Sequence, residues 1–379
     1  MTNQIKHLTL PLPNANAVDI HVGNSFITDI DFLKSVIPSK RRLFIITQDF
    51  VYEKHGKHIE DTIKKEINDD CHLIKIPDGE SAKSFQVLQF ILNKMFEIGV
   101  ERHDLVVAIG GGVITDCAGF VASICLRGLE LINIPTTLLA QVDAAIGGKT
   151  GINHFSGKNL IGSFYQPSHV ILDVSFLSTL PLREFYSGFA EVIKYGVIRD
   201  PELFEMLLTH RNDIKKFSAS KHPSLWEDIV YTSCKNKVDV VKNDEKESNL
   251  RAILNFGHTI GHGIEALFDY HTYKHGECVI FGMCAATHIA EQKSLISKEE
   301  SQRIYSLIEA FGYFSLKLEP IDYEKLLPII SRDKKVKGNV IHFILPKSVG
   351  DVMITDTVSQ QEIEGSLLFI QSLFKGAKA

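Results

Sequence analysis

The feature that most constrains this chain is a series of short, near-continuous apolar runs in its first half, separated by helical patterns. Leu43-Phe-Ile-Ile-Thr47, His72-Leu-Ile-Lys-Ile76, Leu105-Val-Val-Ala-Ile109, Leu131-Ile-Asn-Ile134 and Val170-Ile-Leu-Asp173 have the length of strands. Strands of this kind lie buried on both faces in a mostly parallel sheet. Between them, the stretch Ser84 to Ile98 places Phe85, Leu88, Leu92 and Met95 at spacings of three and four, which predicts a helix. Alternation of this sort predicts an α/β domain. Past Leu180-Pro181 the strand signals nearly vanish, and a helical pattern runs to the end with one late hairpin expected at 340–345 and 352–354. The expected division is therefore residues 1–180, α/β, and residues 181–379, mainly helical.

A chain of 379 residues can bury a substantial core, and 44% apolar with 23% charged residues describes an ordinary soluble globular protein. A net charge of -5 argues against a nucleic-acid partner, and the clusters at Lys215-Lys216 and Asp333-Lys334-Lys335-Val-Lys337 are too small to reverse that. The longest apolar runs fall short of a membrane span, and residues 1–14 lack the apolar core of a signal peptide. The expectation is a cytoplasmic protein with no membrane partner. Cys71, Cys117, Cys125, Cys234, Cys278 and Cys284 form no Cys-x-x-Cys pair and read as reduced, mostly buried thiols.

The chemistry concentrates in a few places. On a helix, His258 and His262 stand at i and i+4, one turn apart on one face. That is the zincin spacing, but Thr259 stands where a zinc protease carries its catalytic Glu. The pair fits a metal and not that protease. Arg251 and Asn255 precede it, and His275 and Glu277 follow at a distance that lets the chain turn back with a third ligand. Gly110-Gly111-Gly112-Val-Ile-Thr115-Asp116 follows a strand and opens a helix, so its amides can approach a phosphate, although a purely structural turn reads the same way. Asp78-Gly79-Glu80-Ser81-Ala82-Lys83 is a turn with carboxylates for ribose hydroxyls and an amine for a phosphate. Between Pro135 and Gly162 lie Asp143, Lys149, Asn153, Lys158 and Asn159, with both lysines preceded by glycine. Such lysines suit an anionic substrate, and equally a solvated loop. Glu191 and Lys194 share a helix face among Phe189, Val192, Ile193 and Tyr195, and a Glu buried there needs a metal or another partner.

Taken together, Gly110-Gly-Gly-Val-Ile-Thr-Asp116, Pro135-Thr-Thr-Leu-Leu-Ala-Gln-Val-Asp143, Gly147-Gly-Lys-Thr150, Gly157-Lys-Asn-Leu-Ile-Gly162, Ala190-Glu-Val-Ile-Lys194, Leu254-Asn-Phe-Gly-His-Thr-Ile-Gly-His262, His275-Gly-Glu277 and Asp333-Lys-Lys335 resemble the 3-dehydroquinate synthases. This is a family of the sugar phosphate cyclases, and the motifs stand in its order from Asp78 to Gly350. The resemblance implies a Rossmann-like N-terminal domain, a helical C-terminal domain and a site in the cleft between them. It implies Zn2+ (or Co2+) on Glu191, His258 and His275. For NAD it implies Asp78, Gly79, Glu80, Ser81, Ala82, Lys83, Gly112, Val113, Ile114, Thr115, Asp116, Thr136, Thr137, Lys149, Lys158, Phe176, Leu177, Ser178 and Thr179. For a phosphorylated sugar acid it implies Asp143, Lys149, Lys158, Asn159, Lys194, Lys237, Arg251, Asn255, His262 and Lys335, with Arg127 reaching a phosphate across a homodimer interface.

The implied reaction converts 3-deoxy-D-arabino-heptulosonate 7-phosphate to 3-dehydroquinate and phosphate. Hydride leaves C5 for NAD, phosphate is eliminated, hydride returns, and an aldol closure makes the carbocycle. The metal polarises the C4 and C5 oxygens, and His262 is the acid/base near the C5 hydroxyl. The chain departs from the family at Thr115, usually glycine; at Gln48 and Phe50, near the adenosine ribose; and at Gly263, often alanine, which should matter little. One residue more than usual separates His262 from His275, most easily absorbed in the turn at 269–271. Other cyclases, making 2-deoxy-scyllo-inosose or 2-epi-5-epi-valiolone, are the nearest alternative. Asn255 speaks against both, since those relatives tend to be acidic there, and His262 against the second, which tends to proline. An NAD- and metal-dependent alcohol dehydrogenase explains the glycine loop but not five cationic candidates, and a non-catalytic binding module explains less.

Overall fold

The computed structural model describes residues 5–12, 16–215, 222–247, 250–332 and 341–376. Its chain falls into two compact units, Met1–Pro181 with Ala219–Lys246, and Leu182–Ser218 with Glu247–Ala379. A single boundary near residue 180 therefore misplaces one segment. The helix Pro223–Val241 buries Trp226, Ile229, Val230 and Cys234 in the first unit, where the Cys234 thiol donates to the Gln141 carbonyl at 3.3 Å.

In the first unit β1 (Lys6–Leu10), β2 (Val18–Gly23), β3 (Leu43–Gln48), β4 (Cys71–Ile76), β5 (Leu105–Gly110), β6 (Glu130–Pro135) and β9 (His169–Asp173) form one sheet, in the order β1-β2-β9-β6-β5-β3-β4. Only the β1/β2 pairing is antiparallel. The five expected runs are β3, β4, β5, β6 and β9. Every residue of β3 and β5 is buried, as strands covered on both faces require. The predicted helix is Phe85–Ile98, started by the Ser84 hydroxyl accepting from the Val87 N–H and stopped by Gly99 at φ 89°.

The glycine- and lysine-rich stretch is not an open loop. It forms a second hairpin, β7 (Lys149–His154) with β8 (Gly157–Phe164). Gly162 is required where the strands pinch together, because a Cβ there would lie 2.0 Å from the Thr150 carbonyl oxygen.

The second unit is built from the helices Leu182–Ile198, Pro201–Thr209, Arg211–Lys215, His258–Leu267, His275–Gln292, Lys298–Ala310, Tyr323–Arg332 and Gln360–Leu373, with the hairpin β10 (Phe343–Ser348) and β11 (Asp351–Thr355). The two histidine-bearing helices cross almost backbone to backbone, since a Cβ on Gly282 would lie 1.7 Å from the Gly257 carbonyl oxygen. Gly263 matters more than expected: a methyl there would lie 2.7 Å from Ile330 and force that side chain to move. Asp269 and Tyr270, where the additional residue was expected, take left-handed backbone angles of φ 54° and 60°. Among the described residues no helix is long and apolar enough to cross a membrane. All six cysteines are free and buried, and burial pushes the Cys71 and Cys117 thiols up to about 12, which leaves them unreactive.

One sheet edge carries an imidazole ladder with a predictable acid response. His7 lies opposite His21, and Asp19 opposite His169. His21 Nε2 lies 3.3 Å from His169 Nδ1, and its ring packs on Phe32 at 5.1 Å between centroids. Burial, then the charges of His169 and His7, lower the His21 pKa from 6.5 to about 4 against the opposing pull of Asp19. An unfolded His21 takes up its proton first as the pH falls, so stability is lost from about pH 6.5 down to about pH 4 and is unaffected above. His21→Gln should therefore flatten the fall of Tm across that window. Superimposable Tm–pH curves for the two proteins would refute this.

Candidate active site

The turns expected to meet NAD all stand at the carboxyl ends of the parallel strands. Asp78–Lys83 follows β4, Gly111–Asp116 follows β5, Thr136 and Thr137 follow β6, and Phe176–Thr179 follows β9. The strand order passes outward from β3 to β4 and then returns to β5 on the other side. That reversal opens a crevice beside the glycine turn, the place where such sheets hold dinucleotides. The helix Gly112–Ile124 presents its first amides there, without intrahelical partners. Gly111 is needed for closeness, since a Cβ would stand 3.0 Å from the Thr137 methyl.

The departures from the family pattern find local explanations. The Thr115 hydroxyl turns back to the Gly112 carbonyl at 3.2 Å, so the helix absorbs it. Gln48 is buried and its amide donates to the Pro77 carbonyl at 2.9 Å, tying β3 to the start of the Asp78 turn. Phe50 is largely exposed. Ile114, Phe176 and Leu177 bury their side chains in the core, leaving only backbone to offer a cofactor. His55 belongs to none of the expected sets, yet it touches Thr179 of the expected NAD turn. Thr179 gives its one hydroxyl proton to the Phe176 carbonyl, so at 2.6 Å it must accept from His55 Nε2. His55 sits in a π-helical turn, Tyr52–Gly56, that no motif announces.

Lys83 is nearly buried, with its amine 2.6 Å from Asp116 Oδ2 and bonded to Asn159 Oδ1. Burial alone would lower its pKa, but Asp116 and Glu80 hold it above the usual value, so it stays a cation. Lys237 is bonded to both the Asp143 carboxylate, at 2.6 Å, and its carbonyl. Thus two pairs of expected ligand residues meet within this unit. Lys149 and Lys158 stand on opposite strands of the β7–β8 hairpin. Arg127 is exposed, and it follows Leu126 in the left-handed region at φ 71° and 49°. Lys335 lies outside the described residues.

The second unit gathers the expected metal ligands. Glu191, on Leu182–Ile198, is fully buried and pairs with Lys194 one turn on, also buried, so this is no surface ion pair. Glu191 Oε1 stands 3.6 Å from His258 Nε2 and 3.4 Å from His275 Nε2. Ligands about 2.0–2.1 Å from a tetrahedral ion lie roughly 3.4 Å apart, so these atoms fit one such ion.

The far ring nitrogens are already used. His258 Nδ1 faces the Phe256 carbonyl at 3.0 Å and His275 Nδ1 faces Glu265 Oε2 at 3.3 Å. With Nδ1–H donating, each Nε2 is left as an electron-pair donor, the usual support for a ligating imidazole. Burial alone would lower the His275 pKa, yet Glu191 and Glu265 raise it to about 10. Burial holds the His258 pKa well below its ordinary value, with Lys194 offsetting the pull of Glu191, so it stays a neutral electron-pair donor.

Nitrogens of His258, His262 and His275 also lie within 4.8 Å of one another, so His262 is close enough to compete as a ligand. Thr259, in the protease Glu position, donates to the His342 carbonyl at 3.1 Å. Glu277 is not a ligand. It caps the His275 helix through the Lys274 N–H at 2.9 Å and binds Arg183 with two hydrogen bonds of 2.7 and 2.8 Å. Arg251 is buried, and the Asn255 amide donates to Glu247 Oε1 at 2.6 Å, which turns its oxygen the other way.

Known proteins resemble this chain in sequence and in fold. Two family profiles match, 3-dehydroquinate synthase N-terminal over residues 73–187 and 3-dehydroquinate synthase C-terminal over residues 188–336. The chain is 45% identical to a 3-dehydroquinate synthase of Rippkaea orientalis over 86% of its length and 89% of the relative's. It is 41% identical to one of Prochlorococcus marinus subsp. pastoris over 94% and 97%. Among solved structures, a 2-epi-5-epi-valiolone synthase from Streptomyces hygroscopicus subsp. jinggangensis with NAD+ and Zn2+ bound matches with a TM-score of 0.86 at 27% identity, covering 96% of this chain and 98% of that one.

Proposed function

From its membership of the 3-dehydroquinate synthase family, we propose that this chain is an NAD- and metal-dependent phosphorus–oxygen lyase. It converts 3-deoxy-D-arabino-heptulosonate 7-phosphate to 3-dehydroquinate and phosphate, on the shikimate route to aromatic amino acids. The observation that supports this most is the buried Glu191 carboxylate, set at tetrahedral-edge distances from two imidazoles whose other nitrogens are occupied.

When bound, NAD supplies a hydride acceptor that is regenerated, and a Zn2+ or Co2+ ion on Glu191, His258 and His275 supplies a Lewis acid. The rest falls to the chain's own residues. The turns Asp78–Lys83 and Gly112–Asp116, with Thr136, Thr137 and Ser178–Thr179, bind and orient the cofactor, Lys83 facing it as a cation held by Asp116. Lys149, Lys158 and Asn159 on the hairpin, Lys237 held by Asp143, and Lys194 and Arg251 bind the substrate's anionic groups. The guanidinium of Arg251 can take a carboxylate with two parallel hydrogen bonds, which an ammonium cannot. Asn255, its nitrogen engaged by Glu247, offers its oxygen to a substrate hydroxyl. His262 moves the proton of the hydroxyl being oxidised. A homodimer in which Arg127 reaches the partner's phosphate, and a cytoplasmic location, belong to the same reading.

The substrate is tested by giving the protein heptulosonate phosphate, glucose 6-phosphate and sedoheptulose 7-phosphate in parallel with NAD. Phosphate release without lasting NADH absorbance is expected, with the highest kcat/KM on the first, the only one with a carboxylate. A higher kcat/KM on either other sugar would replace the substrate while leaving the cyclase chemistry in place. Accumulating NADH would favour a dehydrogenase.

A further inference from the structure

Asn153 belongs to neither the NAD set nor the substrate set, yet it touches both. Its backbone N–H donates to the Lys83 carbonyl at 2.9 Å. Its side-chain nitrogen donates to Glu80 Oε1 at 2.9 Å, and its side-chain oxygen accepts from the Asn159 N–H at 2.9 Å. Asn159 is one of the few non-glycine residues here in the left-handed region, at φ 56°. Asparagine tolerates that conformation, but it has to be held there. The Asn159 side chain then accepts from the Lys83 amine, which lies 3.8 Å from Glu80, and the ring of contacts closes.

We propose that Asn153 is a positioning residue that locks the β7–β8 hairpin onto the Glu80–Lys83 turn, so that one side chain sets both the cofactor turn and the substrate-facing Asn159. The chemistry supports a lock over a chance contact. A primary amide offers a donor and an acceptor at fixed separation, and here each is spent on a different element. Because the turn and the hairpin share this link, binding at one favours the binding geometry of the other, and reciprocally. The inference rests on the reading of Glu80 and Lys83 as NAD contacts and of Asn159 as a substrate contact.

Asn153→Ala loses two hydrogen bonds, one of them to a charged group. NAD affinity, measured calorimetrically, should fall roughly tenfold. At saturating NAD, KM for the heptulosonate phosphate should rise about tenfold while kcat changes by less than about threefold. Hydrogen exchange at the Asn159 amide, followed without any ligand, should accelerate by about tenfold or more. A polarity swap separates the lock from a folding defect. Asn153→Asp keeps an acceptor for Asn159 but sets a carboxylate against Glu80, and should weaken NAD binding. In a Glu80→Gln background the amide of residue 80 can donate to that aspartate, so Asn153→Asp should cost several-fold less there. Equal losses in both backgrounds, or unchanged Asn159 exchange in Asn153→Ala, would overturn the lock. Accelerated exchange in a protein whose wild type binds no NAD would keep the lock and refute the cofactor reading.

Discussion

Replacing His258 or His275 with alanine is expected to remove the metal and abolish turnover in a protein that still folds. Each Nε2 lies within 3.6 Å of Glu191 Oε1, and each Nδ1 is engaged by an acceptor, the Phe256 carbonyl or the Glu265 carboxylate. Two ligands remain after either substitution, too few to hold a dication against water in a site built for three. A Lewis acid at a developing oxyanion contributes several kcal/mol, so the rate should drop on the order of 10³-fold or more. Folding should survive, because the ligand helices are joined by other means. Gly257 and Gly282 pack backbone to backbone, Glu277 caps the His275 helix, and Gly276 donates to the Ser187 hydroxyl at 3.1 Å. The measurement is metal per chain by elemental analysis, beside a circular dichroism melt. Full metal content in the His258 variant would sink the ligand assignment.

How much of this the sequence declares depends on whether a residue's role leaves a local pattern. β3, β4, β5, β6 and β9 were legible because burial on both faces demands a continuous apolar run. β1 and β2 were not, since this edge interleaves polar residues such as His7, Asp19 and His21 that serve the imidazole ladder. The β7–β8 hairpin hid behind Gly151 and Gly162, which read as loop glycines but permit two strands to touch. Helical periodicity gives the buried face of Pro223–Val241 but not what it packs on, so its return to the first unit could not be seen.

The spacing made the His258/His262 pair legible and the apolar surroundings pointed to a buried Glu191, while the expected ligand set of Glu191, His258 and His275 came from the family resemblance. The carboxylate supporting His275 was not legible, because Glu265 lies ten residues from His275 and meets it only after the chain turns back. Glu277, although close to a histidine in sequence, is spent on the helix end and on Arg183. Gln48 looked like a lost cofactor contact, and its amide instead braces the Pro77 carbonyl.

His262→Ala is expected to keep about one metal per chain while losing on the order of 10²-fold or more in rate, as the removal of an acid/base group does. The geometry makes this a real contest. His262 stands one turn from His258, with ring centroids 5.0 Å apart, and 5.6 Å from the ring of His275. Its nitrogen lies near enough to theirs to complete an all-imidazole site. Charge favours Glu191. A buried carboxylate left outside the coordination sphere would have Lys194 as its cation, whereas as a ligand it also neutralises half of a dication at close range. His262→Gln, which keeps a polar side chain of similar reach but cannot take a proton at neutral pH, should lose rate nearly as far as alanine. If metal content in either variant falls as far as in the His258 variant, His262 is a ligand. If both variants keep the metal and most of the rate, the proton must pass elsewhere.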